Sequence, residues 1–140
     1  MAQVVREYGG KITTIELDAP TANQAIKNFE RAGVAPYIDV KIGDAAAIVT
    51  EIPEPFDIIF QDVGDKRLYP GLFTQCVRLL KRGGLLLAED SLFPAMNLST
   101  EWHGFIEPIK AFNEMVSQCP DLESTILPVG DGLTVAIKMT

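Results

Sequence analysis

The sequence predicts an α/β fold, a largely parallel sheet covered by helices and ending in an antiparallel hairpin. Three observations carry this. Short apolar runs alternate with segments whose apolar residues recur at helical spacing, which implies crossover connections. Two of the runs, Phe56–Phe60 and Leu85–Ala88, are apolar but for Asp57, as strands covered on both faces are. The chain then ends in "ESTILPVGDGLTVAIKMT", two β-rich runs joined by Val129-Gly130-Asp131-Gly132, a turn signal for a hairpin at the sheet edge.

In order along the chain, Ala2 to Glu7 reads as a short helix and Lys11–Glu16 as a strand. Asp18 and Pro20 open a helix carrying Ala22, Ala25, Ile26, Phe29 and Ala32 on one face, and Gly33 falls where a C-terminal cap would sit. A strand at Tyr37–Ile42, a short helix from Asp44 to Thr50 and the strand Phe56–Phe60 follow. Leu68, Leu72, Phe73, Cys76, Leu79 and Leu80 form the stripe of another helix, which Gly83 and Gly84 are expected to stop before the strand Leu85–Ala88. An irregular stretch from Ser91 to Ser99 leads to a helix holding Phe105, Ile106, Ile109, Phe112 and Val116. No repeat or linker marks a boundary, so residues 1–140 read as one domain.

The chain has 140 residues, 47% hydrophobic and 22% charged, an ordinary globular composition. No apolar run approaches the roughly 20 residues of a membrane span, and no basic-then-apolar leader is present, so no membrane partner is expected and the cytoplasm is the default location. The net charge of −7, with Lys and Arg scattered, argues against nucleic acid as a partner. Cys76 and Cys119 lack metal or redox spacing, and Cys76 reads as buried filler on a helix face.

Ligands of open parallel α/β sheets bind beyond the carboxyl ends of the strands. Four such ends here are acidic: Glu16, Asp44, Asp62 and the pair Glu89-Asp90. Glu16 reads either as a ligand of both ribose hydroxyls of a nucleoside cofactor, preferred here, or as a cap of the next helix. For Asp18 the cap is preferred. Asp44, beside Ala45, reads equally as a contact to an adenine edge and as a helix N-cap. Asp62, Glu89 and Asp90 are hard oxygen donors suited to magnesium or calcium, or else solvated loop carboxylates. Lys66 taken alone is a surface lysine; beside these groups it is a candidate base if burial and cation charge lower its pKa. His103 is expected at a helix start or the surface, and Trp102 and Phe93 read as core or as pocket wall.

The segments "KITTIELD", "NFERAGV", "GDA", "FDIIFQD", "DKRLYP", "LLKRGGLLLAED", "FN" and "LPVGDGLTVAIK", in this order, closely resemble the cation-dependent O-methyltransferases of the catechol and caffeoyl-CoA type. The resemblance implies a Rossmann-like sheet with its last strand antiparallel, S-adenosylmethionine as cofactor, and methyl transfer to one hydroxyl of a catechol-like or other small diol held on a divalent cation. It casts Glu16 as the ribose ligand, Asp44 and Ala45 as adenine contacts, and Asp62 as bridging cofactor and metal. Asp62, Glu89 and Asp90 become the metal ligands, and Lys66 the base. Two departures stand out. "DVGDK" carries one residue more than the family's Asp-x-Asp-Lys, and the metal pair is Glu-Asp rather than Asp-Asn.

The family's first central strand and glycine-rich cofactor loop have no counterpart in these residues. Loss of a central strand opens a gap of about 10 Å between its neighbours, since strands lie roughly 4.8 Å apart. Each buried main-chain group left unpaired costs about 1–3 kcal/mol. Either Met1 is an internal methionine of a longer protein, the preferred expectation, or another chain supplies the strand, or the chain pairs with itself. The rival to an enzyme is a non-catalytic assembly protein that dimerises through open sheet edges. A nicotinamide-dependent oxidoreductase is a weaker third reading, since Glu16 alone would suit that ribose too.

Overall fold

A computed structural model describes residues 1–140, and the chain divides into two units, Met1–Glu51 and Ile52–Thr140.

In the first unit, helix α1 (Ala2–Glu7) precedes strand β1 (Ile12–Glu16), helix α2 (Ala19–Arg31), strand β2 (Ile38–Ile42) and helix α3 (Ala45–Glu51). β1 and β2 pair in parallel from Ile12↔Ile38 to Glu16↔Ile42, with α2 as the crossover. Local chemistry sets the limits of α2. The Asp18 carboxylate accepts from the Thr21 N–H at 2.8 Å, satisfying one of the donors a helix start leaves free. At the other end Gly33 has φ +66°, and its N–H donates to the Glu30 carbonyl while that of Val34 donates to the Phe29 carbonyl. This pair of bonds is the Schellman arrangement, and it needs a left-handed residue that glycine supplies without a Cβ penalty. Ala22 and Val34 alone are fully buried in this unit, and β1 is half-buried along its length.

The second unit contains strand β3 (Phe56–Gln61), helix α4 (Tyr69–Leu79), strand β4 (Leu80–Ala88), helix α5 (Ile106–Gln118) and strands β5 (Leu122–Leu127) and β6 (Leu133–Lys138). Its sheet order is β3-β4-β6-β5. β3 and β4 are parallel, and β6 runs antiparallel to both β4 and β5, so the expected C-terminal hairpin forms with β5 at the edge.

The boundary after α4 differs from the expectation. Leu80 does not end the helix; it opens β4, pairing with Phe56, and the next paired residues are Ile58 and Leu85. Lys81 to Gly84 therefore bulge out of register, with Gly83 at φ +77° and the Lys81 ammonium 2.9 Å from Asp57. The glycines make this excursion instead of stopping a helix. A Cβ on Gly84 would lie 2.8 Å from the Lys81 carbonyl oxygen and 3.1 Å from that of Asp57.

The core of this unit lies between the two helices and the sheet. Phe112 of α5 meets Tyr69 and Phe73 of α4 edge-on, with ring centroids 5.2 and 5.9 Å away. Leu72, Cys76, Leu79, Leu86, Ile109 and Ala136 are buried around them. Full burial of such aliphatic and aromatic side chains is worth about 1.5–3 kcal/mol each. β3 departs from the doubly covered strand its sequence suggests, because Ile58 and Phe60 are 52% and 46% exposed. β1 pairs only with β2 and β3 only with β4, so one edge of each is without a strand partner. No helix is long and apolar enough to cross a membrane.

Candidate functional site

The acidic strand ends occur in both units. In the first, Glu16 closes β1 and its Oε1 accepts from the Asp18 N–H at 2.8 Å. Asp44 precedes α3, its Oδ1 accepting from the Ala46 N–H at 2.9 Å, and Ala45 is the first residue of that helix. One oxygen of each carboxylate thus orders the chain just before or at a helix start. A carboxylate's second oxygen retains acceptor capacity. Both strand ends are tied together by the Gly43 N–H, which donates to the Glu16 carbonyl at 2.9 Å.

In the second unit, Asp62 follows β3 and Glu89-Asp90 follows β4, and the parallel pairing Gln61↔Ala88 places them side by side. Between them lies Lys66, only 4% exposed. Its Nζ is 2.7 Å from Asp90 Oδ2, 3.3 Å from Asp62 Oδ1 and 3.5 Å from Glu89 Oε1, and it donates to the Tyr69 hydroxyl at 3.2 Å. Lys66 begins a single 3₁₀ turn, Lys66–Leu68, capped by the Asp65 carboxylate accepting from the Arg67 N–H. Asp62 and Lys66 are four residues apart, a spacing that returns the ammonium to the first carboxylate.

The electrostatics follow from this crowding. Burial works to lower the Lys66 pKa, but the Asp90 hydrogen bond, with Tyr69 and the Asp90 charge, outweighs it and raises the pKa above the ordinary lysine value. The depression that a lysine base would need is therefore reversed. A hydrogen bond with Asp62 raises the pKa of Glu89, reinforced by burial and the charges of Asp62 and Asp90. The same bond lowers that of Asp62, with burial opposing and Lys66 assisting. Their closeness thus shifts the two carboxyls in opposite directions. Burial pushes the Tyr69 phenol up to about 12, so it stays a neutral donor to the Gln61 carbonyl at 3.0 Å.

Several supporting residues escape sequence reading. Gln61 is buried, its amide donating to the Tyr69 carbonyl at 3.2 Å while its Oε1 faces the Cys76 thiol. Ser91 is buried behind Asp90; its hydroxyl lies 2.7 Å from that of Thr134 and donates to the Ala88 carbonyl, and the Asn113 amide donates to its carbonyl. These bonds fix the turn after β4, where Asp90 sits at φ +60°, a conformation Asp tolerates better than most residues. Tyr69 had a signal: it stands three residues after Lys66, one helical turn on.

The remaining candidates lie outside this cluster. His103 is exposed, its Nε2 3.0 Å from the Leu98 carbonyl oxygen, a surface placement as expected. Phe93 is buried, and the half-exposed Trp102 ring lies against it at 6.2 Å.

A family model described as O-methyltransferase matches residues 1–139. The chain is 33% identical to a catechol O-methyltransferase of Niastella koreensis, over 91% of this chain and 62% of that protein. It is 27% identical to caffeoyl-CoA O-methyltransferase 1 of Eucalyptus globulus, over 94% of this chain and 58% of that one. Among solved structures, an O-methyltransferase from Bacillus cereus in complex with SAH superimposes with a TM-score of 0.77 at 26% identity, covering 93% of this chain and 63% of that one. The chain thus spans about three-fifths of the length of these relatives. With strand order, strand-end carboxylates and a match along nearly its whole length in agreement, the chain belongs to the O-methyltransferase family.

Proposed function

We propose that this chain carries the cofactor-side and acceptor-side residues of an S-adenosylmethionine-dependent O-methyltransferase acting on a hydroxyl of a catechol-like or other small diol. The observation that carries the reading is that, within each unit, carboxylates stand at the ends of parallel strands in a chain of this family. Relatives named for catechol and caffeoyl-CoA support a phenolic acceptor.

Glu16 is assigned the ribose hydroxyls, and Asp44 with Ala45 the adenine. Their donor chemistry fits such a ligand, since each carboxylate spends one oxygen on a helix start and keeps acceptor capacity on the other. The cofactor supplies a methyl group on a sulfonium. On the acceptor side, Asp62 and Glu89 are the most exposed carboxylates of the cluster and can accept hydrogen bonds from two adjacent hydroxyls. Asp62 accepts a hydrogen bond from the reacting hydroxyl and takes up its proton. Such transfer depends on orientation, because a well-placed nucleophile gains a large effective concentration. Lys66, cast as base by its motif, is held protonated by Asp90 and instead positions these carboxylates.

The divalent cation that the motifs imply would fall to Asp62, Glu89 and Asp90. As arranged here, these residues do not fit one. No group of three or more acidic, histidine or cysteine side chains is gathered in metal-binding geometry, and the three carboxylates converge on an ammonium. No step is therefore routed through a metal.

Calorimetric titration of the chain with S-adenosylmethionine tests the reading. Saturable binding that weakens in Glu16→Ala is expected; a folded sample giving no heat overturns it. A second reading, a non-catalytic protein that dimerises through its sheet edges, is favoured by the exposed Ile58 and Phe60 on β3. Sedimentation showing a dimer that binds no cofactor would select it.

A further inference from the structure

We infer that the Lys66 ammonium is this protein's resident cation, filling the position that the motifs assign to a divalent metal and keeping such a metal out. The inference rests on reading Asp62, Glu89 and Asp90 as the acceptor side of a methyl-transfer site.

Distance is the first argument. Oxygen ligands stand about 2.0–2.1 Å from magnesium and about 2.3–2.6 Å from calcium. Here the three carboxylates stand 2.7, 3.3 and 3.5 Å from Nζ, and the shortest contact is an ordinary charge-assisted N–H···O length. The three oxygens thus surround Nζ at ammonium contact distances. Occupancy is the second argument. A lysine has three N–H donors, and Asp90, the Tyr69 hydroxyl and Asp62 account for them, with Glu89 at the longest distance. Admitting a metal would require Lys66 to leave a nearly closed seat and strip Tyr69 of its donor. Breaking one side of a buried ion pair is costly in itself.

The third argument joins the two departures of the sequence. Glu-Asp in place of Asp-Asn adds one full negative charge to the cluster. The extra residue in "DVGDK" sets Lys66 four positions after Asp62, where its ammonium reaches all three carboxylates. The added carboxylate and the repositioned lysine offset each other, so neither is a defect of a metal site. Together they make a site that carries its own positive charge. Lys66 acts here as a positioning residue.

The test is a titration with Mn²⁺ of the full chain and of Lys66→Met, reading the electron-spin signal of the free aqueous ion. The full chain is expected to leave that signal as in buffer. Lys66→Met, freed of the ammonium, is expected to remove free Mn²⁺ saturably, and Asp90→Asn added to it to abolish the uptake. Saturable uptake by the unaltered chain that Asp90→Asn abolishes would overturn the inference, as would a folded Lys66→Met that binds none. Should Lys66→Met not fold, the thermal midpoint of the unaltered chain decides. No change between magnesium and a chelator supports the inference, and a rise with magnesium that Asp90→Asn removes overturns it. Neither readout involves S-adenosylmethionine, so failure of the methyltransferase reading in its own titration is a separate result.

Discussion

The two units hold their strands by different means. In Met1–Glu51 two parallel strands and their crossover helix are set by end signals: an Asp18 cap, a Gly33 turn and an Asp44 turn, with Ala22 and Val34 the only fully buried residues. In Ile52–Thr140 an aromatic cluster fills the space against four strands, and a buried lysine ties together carboxylates from two strand ends. The contrast teaches where specificity resides in each. One unit is specified by neighbours in sequence, the other by side chains that meet only after folding.

Phe112→Ala is the largest test of that contrast. Phe112 is fully buried and touches two rings edge-on, and emptying such a site costs about 3–5 kcal/mol. Urea denaturation should show the loss. Native-state hydrogen exchange should place it in the amides of α4, α5 and β4, while those linking β1 to β2 keep their protection. Equal loss of protection in both sheets would break the division, because it would show the chain opening as one cooperative body.

The same contrast explains what the sequence discloses. Asp18, Gly33 and the Val129–Gly132 turn are short-range signals whose partners lie within about one turn of chain, and each forms as read. The end of α4 was misplaced because its apolar stripe runs unbroken into β4, and only pairing with Phe56 decides that Leu80 is a strand residue. The acidic strand ends are visible as types, but their meeting point is not. Lys66 finds Glu89 across 23 residues, and Ser91 finds Thr134 across 43, so neither its burial nor the fixed turn behind Asp90 has a local signature. Charge pattern suggested a metal; only the geometry shows the ammonium among the carboxylates.

Glu89→Gln sharpens the comparison within the ionic cluster. The folded-state pKa of Glu89 is raised, so its contribution to stability is full below the unfolded glutamate value and fades as pH rises through the folded value. That of Asp62 is lowered, so its contribution is present above the unfolded aspartate value and is lost as pH falls through the folded one. A glutamine amide can donate to Asp62 at any pH. The substitution should therefore flatten the decline of stability above the ordinary glutamate range, by less than about 1 kcal/mol because Glu89 is partly exposed. Chemical denaturation across mildly acidic to neutral pH reads the slope; an unchanged slope would show that Asp62 does not raise the Glu89 pKa.

Asp18→Ala is the smallest test and the one confined to the first unit. Asp18 is exposed, and its pKa is lowered by hydrogen bonds from Thr21, first to its side chain and then from the backbone N–H. A depressed carboxylate stabilises the fold above the unfolded aspartate value, and that contribution disappears as pH falls through the folded value. The cap should therefore hold at neutral pH and fail in acid, whereas Asp18→Asn, which keeps an oxygen acceptor and cannot titrate, should make α2 insensitive to pH. Exchange rates of the amides in the first turn of α2 measure this directly. Faster exchange in Asp18→Ala at neutral pH, with the amides around Phe112 unaffected, is the expected pattern. If the first turn exchanged no faster, α2 would owe its start to packing after all, and the first unit would resemble the second more closely than its sparse burial suggests.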